Sequence, residues 1–486
     1  MSEVLVVVGP GVVGDAALLA EIAEREFSAL GVRGELVHAR DARHLLSLVD
    51  GRSRTGLSGV DSGFGAEGLS GVDAGSPSSG GGGPVVLLPG PTAEVRELIG
   101  RPLGPVVWVD VERVDGVEPG EGATHLYGRG IGGLAWGIRH AVHQVRHPAR
   151  RIPYGPGRDQ WGDLYLPHGD GERPVVALIH GGYWRSIWAA DIMEALCADL
   201  VGCGLAVWNL EYRRPDLHGW QATTADIATG LAALAELDQT PSHPTSDTVE
   251  DAASRPVSDA ASRAASLGAA LDLGRVAVVG HSAGAQLALR AAADGSRVTL
   301  AVSLAGVLDL VEGDRRWLSS GAVAAALGRP SGAAPASPTV APARPTVTSD
   351  GPSTTPGRPA DTPDRATAGM SDRPGAASDR PSVRPGRPAV ASGRAAAGVE
   401  GVGGAEGVYG AASPMLRVPL DVRQLIVQGT ADDLDLVDFS RRYASAAREA
   451  GDDVTYLELP GDHFDVITPT SPIWQATAQA IVSALA

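Results

Sequence analysis

The stretch Arg275 to Ala293, RVAVVGHSAGAQLALRAAA, decides how this chain is read. Val276 to Gly280 is an apolar run of the kind that forms a buried parallel strand, and the Ala- and Leu-rich run from Ala283 has the composition of a helix. Ser282 stands between them in a Gly-x-Ser-x-Gly frame. Gly280 and Gly284 relieve the crowding of so sharp a strand-to-helix turn, which projects the serine oxygen outward beside the amide of Ala283. In a chain with 64 glycines the bare pattern arises by chance, so its location between strand and helix carries the weight. The plain alternative is a serine capping a helix.

Outward from this turn, apolar strand runs alternate with helical patterns through the chain, the mark of a parallel α/β architecture. Two units emerge, residues 1–150 and 151–486. The first carries strands at Val4–Val8, Gly34–His38, Val85–Leu88 and Val106–Val109, and helices at Asp15–Leu30 and Gly130–Val145. The second carries strands at Val175–His180, Leu205–Glu211, Val276–Gly280, Leu300–Leu304, Gln424–Gln428 and Val454–Leu459. Three stretches, residues 51–84, 239–269 and 329–407, are low-complexity insertions. The last has no Ile, Leu, Phe, Trp or Tyr with which to build a core, so disorder is expected.

Composition narrows the chemistry. All 40 cationic side chains of the 486 residues are arginine, which excludes a P-loop, a pyridoxal Schiff base, a protein kinase and a Ser-Lys hydrolase. The net charge of −17 disfavours nucleic acid and anionic membranes as partners. No run of about 18 apolar residues could span a bilayer, and Met1 to Pro10 has no basic start ahead of its apolar run, so a cytoplasmic protein is expected. Cys197 and Cys203, too few for a zinc knuckle or a disulfide framework, are read as reduced core residues.

A serine nucleophile needs a base and an acid to orient it, here expected in the order Ser, Asp, His on loops after strands. QLIVQGTADD places Asp432 just past a strand, and LELPGDHFDVI places His463 after the next one. Asp433 is the rival acid. In VVALIHGGYWRSIW a strand ends in His180, Gly181 and Gly182, where the amides of Gly182 and Tyr183, with that of Ala283, are candidates for an oxyanion hole. Trp184 and Trp188 are candidate walls of a substrate pocket, with core packing as the alternative, and His180 is read as shaping the loop.

From about Trp161 to Ala486 these motifs resemble an α/β-hydrolase of the hormone-sensitive-lipase and esterase group, and HGGYW is most similar to kynurenine formamidase. DLYLP at Asp163, NLEYRR at Asn209 and ASPM at Ala412 fit the same group. The resemblance implies a mostly parallel sheet with helices on both faces, a Ser282, Asp432, His463 triad and an oxyanion loop over Gly181 to Tyr183. It also implies a small ester or aryl formamide substrate and no cofactor. A general carboxylesterase, lipase or peptidase of the same fold is the alternative.

The first unit has a Gly-x-Gly-x-x-Gly at Gly9, Gly11 and Gly14 after a strand. The acidic residue that a NAD site needs at the end of the second strand is replaced by His38 and Arg40, although Arg40 leaves an NADP- or ligand-binding protein with an inactive hydrolase scaffold as a reading of another class. VVVGPG at Val6 and GRGIGGLAWGIRHAV at Gly128 resemble a degenerate type II 3-dehydroquinate dehydratase, which implies a flavodoxin-like domain. Val8 and Gly11 stand where that family has Asn, so its activity is expected to be lost. On the helix Gly130–Val145, an apolar stripe of Ile131, Leu134, Ile138, Val142 and Val145 faces away from Arg139, His140, His143 and His147. These are read as a solvated basic face and not as metal ligands. Oligomeric state is left open.

Overall fold

The alternation of apolar runs and helices builds two separate sheets. The computed structural model describes residues 3–55, 83–238, 269–329 and 405–486. The first sheet holds β1 (Glu3–Val8), β2 (Arg33–His38), β3 (Val85–Leu88), β4 (Val106–Asp110) and β5 (Thr124–Tyr127), all parallel, in the order β2-β1-β3-β4-β5. The second holds β6 (Arg150–Pro153), β7 (Trp161–Tyr165), β8 (Gly171–Ile179), β9 (Ala206–Leu210), β10 (Ala269–His281), β11 (Leu300–Leu304), β12 (Arg423–Gly429) and β13 (Val454–Leu459). Its order is β13-β12-β11-β10-β8-β9-β7-β6, and only β7 runs against the rest. The chain is thus α/β, with sheets that are mostly parallel.

Helices cover both faces of the second sheet, which is why its central strands are apolar without a break. Val175, Ala177 and Ile179 of β8, with Val276 and Val278 of β10, pack toward the helix Ala283–Ala293. Their neighbours Val176, Leu178, Ala277 and Val279 pack on the other side with Leu196 of the helix Glu194–Gly202 and Ile481 of the helix Pro472–Leu485. Successive side chains of one strand therefore serve two cores.

Several elements depart from the sequence reading. β5, β6 and β7 were not anticipated, because THLY and RRIP are short and mix polar with apolar positions, as edge strands do. β10 begins at Ala269 and not at Val276, its pattern interrupted by a register shift between Asp272 and Val276. The helix Ala42–Thr55 runs into the first expected insertion, β10 begins on the last residue of the second, and the helix Ala405–Ala412 begins inside the third; the disorder expected for the rest lies outside the described residues. Cys197 is buried as expected, but Cys203 is exposed where its helix ends; both are free. Among the described residues no helix is long and apolar enough to cross a membrane.

The helix Gly133–Arg146 departs furthest from its sequence pattern. Leu134, Ile138 and Val142 pack on the first sheet as the stripe requires, and Val145 is exposed. His140 and His143 do not face solvent. His140 places Nδ1 2.8 Å from Glu194 Oε1 and Nε2 3.1 Å from Thr124 Oγ1, and His143 Nε2 lies 3.3 Å from the Tyr165 hydroxyl. The helix is buried on two sides, against one core with apolar residues and against the second sheet's layer with polar ones. Apolar periodicity registers only the first. Nearby, Arg129 makes a bidentate pair with Asp191 at 2.6 and 2.8 Å, both side chains almost wholly buried. Removing one partner from such a pair typically costs about 3–5 kcal/mol.

The His140–Glu194 contact makes stability depend on pH. Burial raises the Glu194 carboxyl to about 7, with His140 only partly opposing it. Burial alone would lower His140, but the Glu194 carboxylate outweighs it and leaves the imidazole above its ordinary value. Both groups hold a proton more tightly in the folded chain than in the unfolded one. The stability this supplies is fully present below the unfolded glutamate value and is lost as pH rises through about 7. Glu194→Gln is therefore expected to flatten the pH dependence of the unfolding free energy between about pH 5 and 8, read by urea denaturation. An unaltered slope would exclude this pair as its source.

Candidate active site

At the end of β10 the chain turns directly into the helix Ala283–Ala293, and Ser282 takes φ 55 and ψ −118 to make the turn. A non-glycine residue there carries strain of about 1–3 kcal/mol, held by a Ser282 amide bond to Leu304 O at 2.8 Å. The crowding is measurable. A Cβ on Gly280 would lie 2.1 Å from Gly284 O, and one on Gly284 would lie 2.2 Å from Ile179 O and 2.4 Å from His180 O. The helix start is thus pressed against both β10 and β8.

The loops after β12 and β13 carry the next two residues. Gly429 lets them meet, since a Cβ there would lie 2.3 Å from Gly461 O. Ala431 donates to Gly461 O at 2.9 Å, closing the pair of loops. His463 Nδ1 then lies 3.0 Å from Asp432 Oδ2. The same oxygen accepts from Gln428 Nε2 at 2.9 Å, and Oδ1 accepts from the Asp433 amide at 2.7 Å. Asp433 itself is turned to the helix Leu434–Glu449, where it accepts from the Asp435 amide at 2.8 Å. Of the two aspartates, Asp432 is the one on the imidazole.

Ser282, Asp432 and His463 line one cavity of about 270 Å³ with Gly182, Tyr183, Trp188, Ile192, His281, Asp433, Leu436 and Phe464. Gly181 abuts Ser282, since a Cβ on it would lie 2.9 Å from Ser282 Cβ. The amides of Gly182, Tyr183 and Ala283 donate to no acceptor among the described residues. Trp188 lines this cavity. Trp184 does not: its side chain is buried in the core, its Nε1 donating to Gln286 Oε1 at 3.0 Å and its ring edge-on to Trp220. The two tryptophans of this loop go to different places, and the sequence does not say which is inward.

The residues behind the site were less legible. His180 is buried and stacked on Tyr212, with Nε2 3.1 Å from Glu211 Oε1, while the Tyr212 hydroxyl donates to His180 O at 2.8 Å. Burial by itself would raise Glu211, but the Arg214 guanidinium, His180 and the Ala190 amide hold its carboxyl down at about 2. This network anchors the His180–Tyr183 loop, and its only sign in the sequence is the charged run NLEYRR after an apolar strand. His281 Nε2 donates to His463 O at 3.0 Å, and burial with the neighbouring His463 pushes its pKa well below the ordinary range. It is a neutral strut for the His463 loop. Gln428, a polar residue buried in a central strand, is held by Ser440 Oγ at 2.8 Å.

The glycine-rich turn after β1 leads into a helix whose first amides are already taken. The Asp15 carboxylate caps the helix Ala16–Leu30, accepting from the Ala17 amide at 2.8 Å. That is where a dinucleotide's phosphates would need the same amides, and a carboxylate there repels them. Arg40 is exposed, its amide donating to His44 Nδ1. Among the described residues no group of three or more His, Cys, Asp or Glu could hold a metal ion.

No family model and no curated protein matches the sequence. Solved structures give remote likenesses. A hyperthermophilic esterase from the archaeon Pyrobaculum calidifontis shares 14% identity over 71% of this chain and 90% of its own, at a TM-score of 0.41. An inhibited esterase B from Lactobacillus rhamnosis shares 15% over 71% of this chain and 91% of its own, at 0.43. A thermostable carboxylesterase cloned from a metagenomic library shares 16% over 70% and 91%, at 0.40. At these values the chemistry of the chain rests on its own residues.

The close packing at the turn has a direct consequence. Gly284→Ala is expected to destabilise the fold by about 3 kcal/mol or more, because the new methyl meets backbone that cannot yield. Urea unfolding measures it, and a loss under about 0.5 kcal/mol would contradict the tight turn.

Proposed function

We propose that the chain is a cofactor-independent serine hydrolase of α/β-hydrolase architecture, acting on a small carboxylic ester or aryl formamide. One observation carries the proposal: a strained strand-to-helix serine shares a cavity with an imidazole that is itself held by a buried carboxylate. The strand order supports it, with one reversed strand near the edge and the serine following the central β10. On this reading residues 151–486 form the catalytic domain, and residues 1–150 a flavodoxin-like domain by their β2-β1-β3-β4-β5 order.

In the mechanism Ser282 Oγ attacks the substrate carbonyl carbon while His463 Nε2 takes the hydroxyl proton. Asp432, bonded to Nδ1, holds the imidazole in the tautomer that leaves Nε2 free and stabilises the imidazolium that forms. The oxygen of the tetrahedral intermediate becomes negative beside the amides of Gly182, Tyr183 and Ala283, with Gly181 leaving the space open. His463 then protonates the departing alcohol or amine, leaving an acyl group on Ser282. A water deprotonated by His463 attacks the acyl carbon, and Ser282 leaves with the returned proton. Gln428 and His281 are positioning residues, the first for Asp432 and the second for the His463 loop.

Trp188, Phe464 and Tyr183 around the cavity, with HGGYW in the loop, favour an aromatic substrate, and aryl formamides are the first class to test. The decisive test is labelling by a fluorophosphonate, with the adduct located by mass spectrometry. Ser282 is expected to carry it and Ser282→Ala to abolish it, while Asp432→Asn is expected to lower kcat on any ester turned over by about 10⁴. A folded protein that stays unlabelled would overturn the proposal.

A further inference from the structure

The segment that follows the Gly182–Tyr183 loop is gripped by the first sheet's layer. Arg129 donates from Nε to Ile187 O at 2.7 Å and from both Nη atoms to Asp191, and its guanidinium lies 4.7 Å over the Trp188 ring. Arg113 donates to Ser186 Oγ at 3.0 Å and pairs with Asp216, whose carboxylate also accepts from the Ser186 amide. Gly128 lies against Ile187, where a Cβ would come within 2.6 Å of its Cγ2. The helix Gly133–Arg146 adds Trp136, edge-on to Trp188 at 6.0 Å between centroids and tilted against Phe464 at 6.1 Å.

Trp188 and Phe464 are the aromatic walls of the cavity, and Phe464 follows His463 directly. Trp188 also touches the oxyanion loop, since a Cβ on Gly182 would lie 2.4 Å from Trp188 Cβ. Trp136 does not line the cavity; it stands behind both walls. Aromatic rings in edge-to-face contact favour one geometry, and a wall backed on its far side cannot retreat to admit a larger group.

We infer that Trp136, acting beside the Arg129 clamp on Trp188, is a positioning residue that sets the size limit of the catalytic cavity through Trp188 and Phe464. Residues 1–150 thus supply selectivity to a site whose reacting groups all lie in residues 151–486. This rests on the hydrolase reading of Ser282, and the experiment separates the two. The full-length chain and its Trp136→Ala and Trp136→Phe variants are assayed on p-nitrophenyl esters from acetate to octanoate, and on acetates of small and naphthyl leaving groups.

Trp136→Ala is expected to raise kcat/KM for the larger member relative to the smaller by about five-fold or more in at least one series, chiefly through KM. Trp136→Phe is expected to keep the wild-type ratio. Hydrogen exchange at residues 186–192 is expected to quicken in Trp136→Ala, a readout that needs no turnover. An unchanged size ratio in both series, or a uniform loss of rate on all esters, would overturn the inference, as would unchanged exchange. If the wild-type chain neither turns over esters nor labels at Ser282, the hydrolase reading falls, and exchange alone decides whether Trp136 holds the segment.

Discussion

Everything at this site depends on how closely a helix start approaches two strands. Gly280 and Gly284 leave no room for a methyl between the helix Ala283–Ala293 and the ends of β10 and β8. That approach forces Ser282 into a left-handed turn and leaves the Ala283 amide at the free first position of a helix. It also brings the turn against the His180–Tyr183 loop, so that Gly181 meets Ser282. A looser turn would separate the serine from the amides of the glycine loop. The strain is local, and the parallel strands packed on both faces keep it from relaxing.

The polar residues around this turn form nested supports. Ser440 holds Gln428, Gln428 holds Asp432, and Asp432 holds His463, whose carbonyl is in turn fixed by His281. On the other side Arg214, Glu211 and His180 brace the glycine loop. Each support is buried, where a satisfied polar group is rigid and an unsatisfied one is costly. The same principle joins the two layers of the molecule. Arg129–Asp191 and His140–Glu194 are hydrogen-bonded charged or titratable pairs out of solvent, and they hold the segment that carries Trp188.

The candidate site residues are legible because their signals are local. Ser282, Asp432 and His463 each sit just past an apolar strand, and the strands Leu300–Leu304 and Val454–Leu459 were bounded from their patterns alone. What was not legible depends on long-range packing. β6 is a short edge strand and β7 its reversed neighbour, and neither has enough apolar alternation to register. His140 and His143 looked solvated because one helix face satisfied the apolar period, yet a second partner buries the other face with polar contacts. Trp184 and Trp188 are equivalent in the sequence, and only the tight turns around them send one inward and the other to the cavity. The choice of Asp432 over Asp433 turns on which carboxylate caps the next helix, a matter of a single hydrogen bond.

The most direct measurement is a crystal structure of the protein after reaction with a small alkyl fluorophosphonate. The account predicts phosphorus bonded to Ser282 Oγ, a phosphoryl oxygen about 3 Å from the amides of Gly182 or Tyr183 and Ala283, and His463 still on Asp432. An adduct on another residue, or a phosphoryl oxygen turned away from all three amides, would contradict it.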